Sequence, residues 1–373
     1  MAHQVIGLMS GTSLDGLDLA ACSFTYHEGE WSYEIVAAET IPYSPGWISR
    51  LQSAPGLGGR DLIKLHLDYG HHLGKMARSF RVKHNLRQDI LVSSHGHTVF
   101  HDPANGYTFQ LGHGAAIAAS AQTTVVSDLR SMDVAMGGQG APLVPIGDRL
   151  LFPEYDYCLN IGGFANISFE EDGIRMAFDI CPANFVLNRL IRQAKIPASP
   201  YMDSGRLPGE LDLLEYDPDG NIARSGKLIP ELLETLNDLS FYKQQGPKSL
   251  GEEWVKEHIW PLIPVSANLP DILHTYTVHV ASQISKIISK IPGKKVLVTG
   301  GGAYNSFLME KLQAFVSGTT EIYIPDKMLI EFKEALVFAF LGLLCMEGMP
   351  NCLSSVTGAA CDTIGGSIHR FSI

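Results

Sequence analysis

Three glycine-bearing turns, each entered from a short apolar run, set the tightest limit on how this chain can fold: GLMSGTSLDG at 7–16, CLNIGGFANIS at 158–168 and VLVTGGGAYN at 296–305. Glycines let several backbone N–H groups converge on a phosphate with no Cβ in the way. One such turn is a weak signal. Three together point to a nucleotide held between two domains rather than in a single dinucleotide crevice. The first turn lacks the lysine of GxxxxGK[ST], and no GxGxxG follows the first strand, so neither a P-loop nor a dinucleotide fingerprint is present.

The hydropathy pattern around these turns repeats. Strands are predicted at 5–9, 17–24 and 32–41, with a polar turn at 27–30. Leu62, Leu65, Tyr69, Leu73, Met76 and Phe80 recur at spacings of three and four, predicting an amphipathic helix over 60–83. Strands at 90–94, 107–111 and 124–129 and a helix at 113–121 complete the first half. The second half restarts the plan, with strands at 157–161, 166–169 and 174–178 around a glycine turn and a hairpin, then a helix at 184–191. Residues 197–250, rich in Pro, Gly and charge, read as an insertion with short helices beside the cleft. Helices at 274–291, 305–316 and 331–346 and strands at 295–299 and 321–324 follow, and the tail 356–368 crosses back toward the first domain.

The 373 residues are 45% apolar, enough to give each of two domains its own core. With 28 Lys and Arg against 39 Asp and Glu, the net charge of −11 argues against a nucleic-acid partner. No basic leader precedes the first turn, and the longest apolar stretch, 335–346, is too short to cross a bilayer, so a cytoplasmic protein with no membrane partner is expected. The six cysteines form no CxxC pair, which favours reduced, buried thiols over disulfides or a structural metal.

Several residues in these segments can carry chemistry. Gly11, Thr12, Ser13, Leu14, Asp15 and Gly16 offer amides and hydroxyls to phosphate, and Asp15 or Asp18 can hold Mg²⁺ through water, because a hard cation takes oxygen ligands. A plain β-turn with Asp15 capping its own backbone is the simpler alternative. Gly162, Gly163 and Asn166 offer a second set of amides. Gly300, Gly301, Gly302 and Asn305 form a third at a helix start, where a phosphate gains from the dipole or an adenine lies over bare backbone. Close strand–helix packing would explain any one of these turns alone. Asp179, expected just beyond a strand end, is either a general base or a brace for the following helix. His95, His97 and His101 alternate faces of an extended segment, a spacing that disfavours zinc and suits sugar-hydroxyl binding by His97 or Thr98. Arg130 can pair with an anionic substrate group or form an interdomain salt bridge. Glu334, expected at the start of an apolar helix, needs a partner there. Lys248 can meet an anion or point to solvent.

Across nearly its whole length the chain resembles the anhydro-N-acetylmuramic acid kinase family of the sugar kinase, heat-shock 70 and actin superfamily. The matching stretches include GTSLDGLD at 11–18, SHGHTVFH at 94–101, VVSDLRSMDVAMGGQGAPLVP at 125–145, NIGGFANIS at 160–168, YDPDGNIARSG at 216–226, GPKSLGEEW at 246–254, VLVTGGGAYN at 296–305, KEALVFAFLG at 333–342 and VTGA at 356–359. The resemblance implies a two-domain α/β fold of the actin-like ATPase type, with duplicated ribonuclease H-like cores around an interdomain cleft. The expected domains are 1–128 with 350–373, and 129–349.

It also implies phosphorylation of 1,6-anhydro-N-acetylmuramic acid by ATP and Mg²⁺ with hydrolytic opening of the anhydro ring, giving N-acetylmuramic acid 6-phosphate for cell-wall recycling. Asp179 would be the base that activates water, and His97, Arg130 and Glu334 resemble sugar-contacting positions. A homodimer is compatible with the resemblance. The family commonly reads FDTGPGN, whereas this chain has FDICPAN at 178–184, so Cys181 and Ala183 replace glycines, and Asn188 stands where an aspartate is usual. A kinase for another sugar and a noncatalytic, ATP-gated binding protein are the competing readings.

Overall fold

The computed structural model describes residues 2–11, 14–198, 213–244 and 246–372. It is a mixed α/β chain of two compact units: Met1–Pro153 with Gly173–Arg175 and Phe332–Ile373, and Glu154–Asp172 with Met176–Glu331.

The first unit is built on a six-stranded sheet. Its strands are β1 (His3–Ser10), β2 (Gly16–His27), β3 (Glu30–Pro42), β4 (Leu91–Ser94), β7 (Val125–Ser127) and β13 (Ser367–His369), in the order β13-β7-β4-β1-β2-β3. β5 (His97–Asp102) and β6 (Tyr107–Leu111) form a separate hairpin. β1, β2 and β3 are an antiparallel meander, while β4 runs parallel to β1 and β7 parallel to β4. Each parallel step needs a crossover, which the helices Gly59–Lys83 and Gly114–Ala121 supply. The predicted apolar stripe is the buried face of the first of these: Leu65, Tyr69, Leu73, Met76 and Phe80 all lie in the core.

From Phe332 onward the helix Lys327–Met346 also packs on this sheet. A Cβ on Gly7 would lie 1.9 Å from the carbonyl oxygen of Ala335, so only glycine lets β1 and this helix approach so closely. Ser93 Oγ donates to the carbonyl of Phe338 at 2.5 Å, and Phe340 packs on Phe24 with ring centroids 5.2 Å apart. These contacts explain why 332–349, expected with the second domain, sit in the first compact unit, as do 129–153. The tail returns to this unit as expected, with β13 antiparallel to β7.

The second unit has a five-stranded sheet of β8 (Tyr157–Ile161), β9 (Phe164–Glu171), β10 (Ile174–Pro182), β11 (Lys294–Thr299) and β12 (Thr320–Tyr323), in the order β10-β9-β8-β11-β12. β9 is antiparallel to β8, β11 is parallel to β8 and β12 to β11. This is the order β3-β2-β1-β4-β7 over again. Its core joins Leu159, Ile161, Val296 and Val298 to apolar side chains of the helices Asn184–Ala194, Leu269–Ile288 and Ser306–Val316.

Two expected boundaries move. β10 continues through Pro182, so Asp179 lies inside a strand rather than beyond one, because the segment 248–250 bonds along it: Asp179 N donates to the carbonyl of Lys248 at 2.9 Å. The last long helix begins at Lys327, so Glu334 lies in its interior rather than at its start. Among the described residues all six cysteines are free, with only Cys361 exposed, and no helix is long and apolar enough to cross a membrane. Short helices occupy the described part of the insertion, whose residues 199–212 and 245 lie outside the described set.

Candidate functional site

In each unit the expected site residues gather where the parallel strands end, the edge at which open α/β sheets bind ligands. In the first unit, Gly11, Leu14 and Asp15 lie between β1 and β2 and Gly16 opens β2, the segment after β4 carries His95 and His97, and Arg130 stands three residues past β7. In the second, Gly162 and Gly163 follow β8 and Gly300 to Gly302 follow β11.

Of the first turn, Thr12 and Ser13 lie outside the described residues. Leu14 has φ 61°, a left-handed conformation that costs a branched side chain, and Asp15 is exposed. Asp18 sits in β2, where its Oδ1 accepts from Thr40 Oγ1 at 2.5 Å. Asp18 also acts on Glu334. The Glu334 side chain is accessible to solvent but surrounded by protein, and burial, followed by the charge of Asp18, raises its carboxyl above the usual range. Arg130 and Lys333 oppose that rise.

Arg130 is held rather than loose. Its Nε and Nη2 donate to His95 Nε2 at 3.0 and 2.9 Å, and Nη1 donates to the carbonyl of Gly140 at 2.5 Å. His95 can accept because it is neutral: burial first, and then the charge of Arg130, lower its pKa well below the ordinary value, while Nδ1 bonds the carbonyl of Gly96. The loop that supplies Gly140 is pinned by Asp133, which accepts from Gly140 N and from Thr357 Oγ1, each at 2.7 Å. Burial brings Arg130 down to about 10, so it stays cationic at neutral pH. A guanidinium has five N–H groups. One on each terminal nitrogen is left for another acceptor. The partners observed are a histidine and a carbonyl, not the carboxylate an interdomain salt bridge would require.

His97 is buried, with Nδ1 3.1 Å from Ser10 Oγ, and Thr98 Oγ1 accepts from Gln110 Nε2 at 3.4 Å. His101 turns away to Thr108, and among the described residues no group of three or more His, Cys, Asp or Glu is placed to hold a metal.

In the second unit the two glycine turns touch. A Cβ on Gly300 (φ 81°) would meet Asn160 Oδ1 at 2.5 Å, and one on Gly302 would meet Ile161 Cγ2 at 2.3 Å, while Gly301 and Gly163 are exposed. The carbonyl of Gly163 accepts from Ala183 N at 2.8 Å and Phe185 N at 3.0 Å, so this turn also anchors the start of the helix Asn184–Ala194. Asn166 lies in β9 opposite Asn160, not in the turn, and the side chain of Asn305 caps Leu308 N at 3.0 Å.

Asp179 is partly buried. Its Oδ2 accepts from Leu250 N at 2.8 Å, yet burial outweighs that bond and raises its pKa. The Nζ of the neighbouring Lys248 donates to the carbonyls of Phe241 and Gln244 at 3.0 and 3.2 Å and lies 4.5 Å from the Phe241 ring. Cys181 and Ala183 are fully buried and neither has a left-handed φ, so the Cβ atoms they add are accommodated. Burial, with the nearby charge of Asp179, pushes the Cys181 thiol up and keeps it neutral. Sequence reasoning missed Ser10, Tyr43 and Tyr69 behind His97; Tyr69 was visible only as part of the apolar helix stripe.

The structure thus defines a two-unit α/β protein whose glycine turns, with His95, His97 and Arg130, follow the ends of parallel strands, while Asp179 lies within a strand and Glu334 within a helix. A sequence model of the family described as Anhydro-N-acetylmuramic acid kinase matches residues 3–370. The chain is 33% identical over 382 residues to the anhydro-N-acetylmuramic acid kinase of Pseudomonas syringae pv. tomato, covering 98% of both. It is 31% identical over 393 residues to that of Francisella tularensis subsp. novicida and 30% over 394 residues to that of Bacillus cereus, again covering 98% of each chain. The chain belongs to the anhydro-N-acetylmuramic acid kinase family.

Proposed function

We propose that this chain transfers the γ-phosphoryl group of ATP to O6 of 1,6-anhydro-N-acetylmuramic acid while water opens the anhydro ring, giving N-acetylmuramic acid 6-phosphate and ADP in cell-wall recycling. The observation that carries this reading is the family match, which runs through 3–370 and includes the segments bearing the strand-end residues. The repeated strand order supports a finer description of the fold as two ribonuclease H-like cores of the actin-like ATPase type.

The chemistry assigns a role to each group. Water attacks C1 and gives a proton to Asp179, the C1–O6 bond breaks, and O6 attacks the γ-phosphorus as the bond to ADP breaks. Aligning the two displacements gains from orientation, because O6 becomes nucleophilic only as it leaves C1. Burial raises the affinity of Asp179 for that proton, as suits a base. Arg130 pairs with the lactyl carboxylate through its remaining N–H groups, and His97, Thr98 and Glu334 meet sugar hydroxyls. The turn 11–16, Asp18, Gly162, Gly163, Asn166, Gly300 to Gly302 and Asn305 serve the nucleotide. Mg²⁺ neutralises phosphate charge when bound. Asp15 or Asp18 would hold it through water, their carboxylate oxygens being the donors a hard cation takes.

ADP release tests this directly. With ATP and Mg²⁺ present, ADP should appear only when 1,6-anhydro-N-acetylmuramic acid is added. Equal release with other aminosugars would move the assignment to a broader sugar kinase, and no release with any sugar would leave an ATP-gated binding protein.

A further inference from the structure

Behind His97 the first unit buries a row of hydroxyls that the proposed reaction does not use. Tyr43 OH donates to Ser10 Oγ at 2.9 Å, Tyr43 OH and Tyr69 OH are 2.6 Å apart, and Ser10 Oγ is 3.1 Å from His97 Nδ1. Tyr43, Tyr69, Ser10 and His97 are all buried, so the row is shielded from water. The direction of its protons can be worked out. The geometry at Ser10 makes Tyr43 the donor. A phenol has one proton, so the short contact between the tyrosines requires Tyr69 to donate to Tyr43. Ser10 then accepts from Tyr43, and among its described side-chain partners His97 Nδ1 is the acceptor left for the serine proton. Each hydroxyl in such an order donates once and the bonds polarise one another in the same sense.

We propose that Tyr43 is a positioning residue which, through Ser10, fixes His97 as the Nε2–H tautomer, so that this histidine presents a hydrogen-bond donor and not an acceptor to its ligand. Among the described residues nothing bonds Nε2, which leaves that N–H for a ligand oxygen. Burial holds the ring neutral, so the tautomer, and not a positive charge, decides what it offers. A donor there selects an acceptor on the sugar, such as a hydroxyl or carbonyl oxygen. That last step rests on the reading of His97 as a sugar contact. The tautomer itself does not.

The test is a long-range proton–nitrogen NMR spectrum of the whole chain labelled at histidine, with His97 assigned by its loss in His97→Gln. Unmodified protein should show His97 protonated at Nε2 and bare at Nδ1. Tyr69→Phe should leave that pattern, because Tyr43 still donates to Ser10. Tyr43→Phe, combined with Tyr69→Phe because Tyr69 also reaches Ser10, should shift His97 toward Nδ1–H, since Ser10 then has no phenol donating to it and gains a bond by accepting from the ring. The other histidine signals report whether each variant is folded. A proton on Nδ1 in unmodified protein would overturn the proposal, and so would an unshifted His97 in folded protein carrying both Tyr43→Phe and Tyr69→Phe. Sugar KM in that double variant should rise about tenfold with kcat less affected, as for loss of one hydrogen bond to the substrate. A switched tautomer with unchanged KM would uphold the role of Tyr43 and remove His97 from the sugar site.

Discussion

Asp179→Asn should lower kcat by about 10²- to 10⁴-fold, the usual contribution of a positioned general base, while leaving ATP affinity close to that of the parent. The substitution is a clean one. An asparagine Oδ1 can still accept from Leu250 N, and the backbone bond to Lys248 is untouched, so the edge of β10 should persist. The raised pKa of Asp179 adds a pH signature: as pH falls, the base is protonated and kcat/KM is lost at a pH above the ordinary carboxylate value of about 4. The same shift has a stability consequence. A folded-state pKa above the unfolded one means that ionisation works against the fold, and the stability this group contributes is lost as pH rises through the folded value. Near neutrality the asparagine variant should therefore melt no lower than the parent, with the difference closing as pH falls through the folded pKa of Asp179. Calorimetry and a pH–rate profile check both signs, and near-parental turnover in the variant would remove Asp179 as the base.

The second large effect is expected at Arg130. Arg130→Ala should raise the sugar KM about 100-fold, from loss of a charge-assisted hydrogen bond worth about 1.5–3 kcal/mol, with little change in the KM for ATP. Arg130→Lys should fall between, since an ammonium keeps the charge but cannot serve His95, Gly140 and a carboxylate with one planar fork. A substrate analogue separates this role from simple bracing. With 1,6-anhydro-N-acetylglucosamine, which has no lactyl carboxylate, the penalty of Arg130→Ala should largely disappear. An equal penalty for both sugars would show that Arg130 supports the loop around Gly140 rather than the substrate.

What could be read in advance follows the range of the forces involved. The helix Gly59–Lys83 was legible because its buried positions repeat at helical spacing, and β8 because a short apolar run ends in glycine. Asp179 was misplaced because a carboxylate after an apolar run reads as a strand end. The strand continues only because 248–250, about seventy residues later, bonds along it. The packing of Lys327–Met346 was hidden for a similar reason: its partner is β1, at the other end of the sequence. The helix Val144–Leu151 was missed where a proline, here in its first turn, looks like a breaker. At the candidate site, the residue types that carry charge were visible, but their supports were not. His95 beneath Arg130, Asp133 beneath Gly140, and Tyr43 and Ser10 behind His97 are joined across distant stretches of sequence and have no local pattern to announce them.

Under the proposed function, ring opening by water and phosphoryl transfer from ATP are one coupled event. Mass spectrometry of the sugar formed from 1,6-anhydro-N-acetylmuramic acid, ATP and Mg²⁺ in ¹⁸O-labelled water examines it most directly. The product should be a 6-phosphate, formed only with ATP, that carries one ¹⁸O at C1 and none in the phosphoryl group. Label in released inorganic phosphate with the sugar unchanged, or a labelled ring-opened sugar formed without ATP, would contradict it.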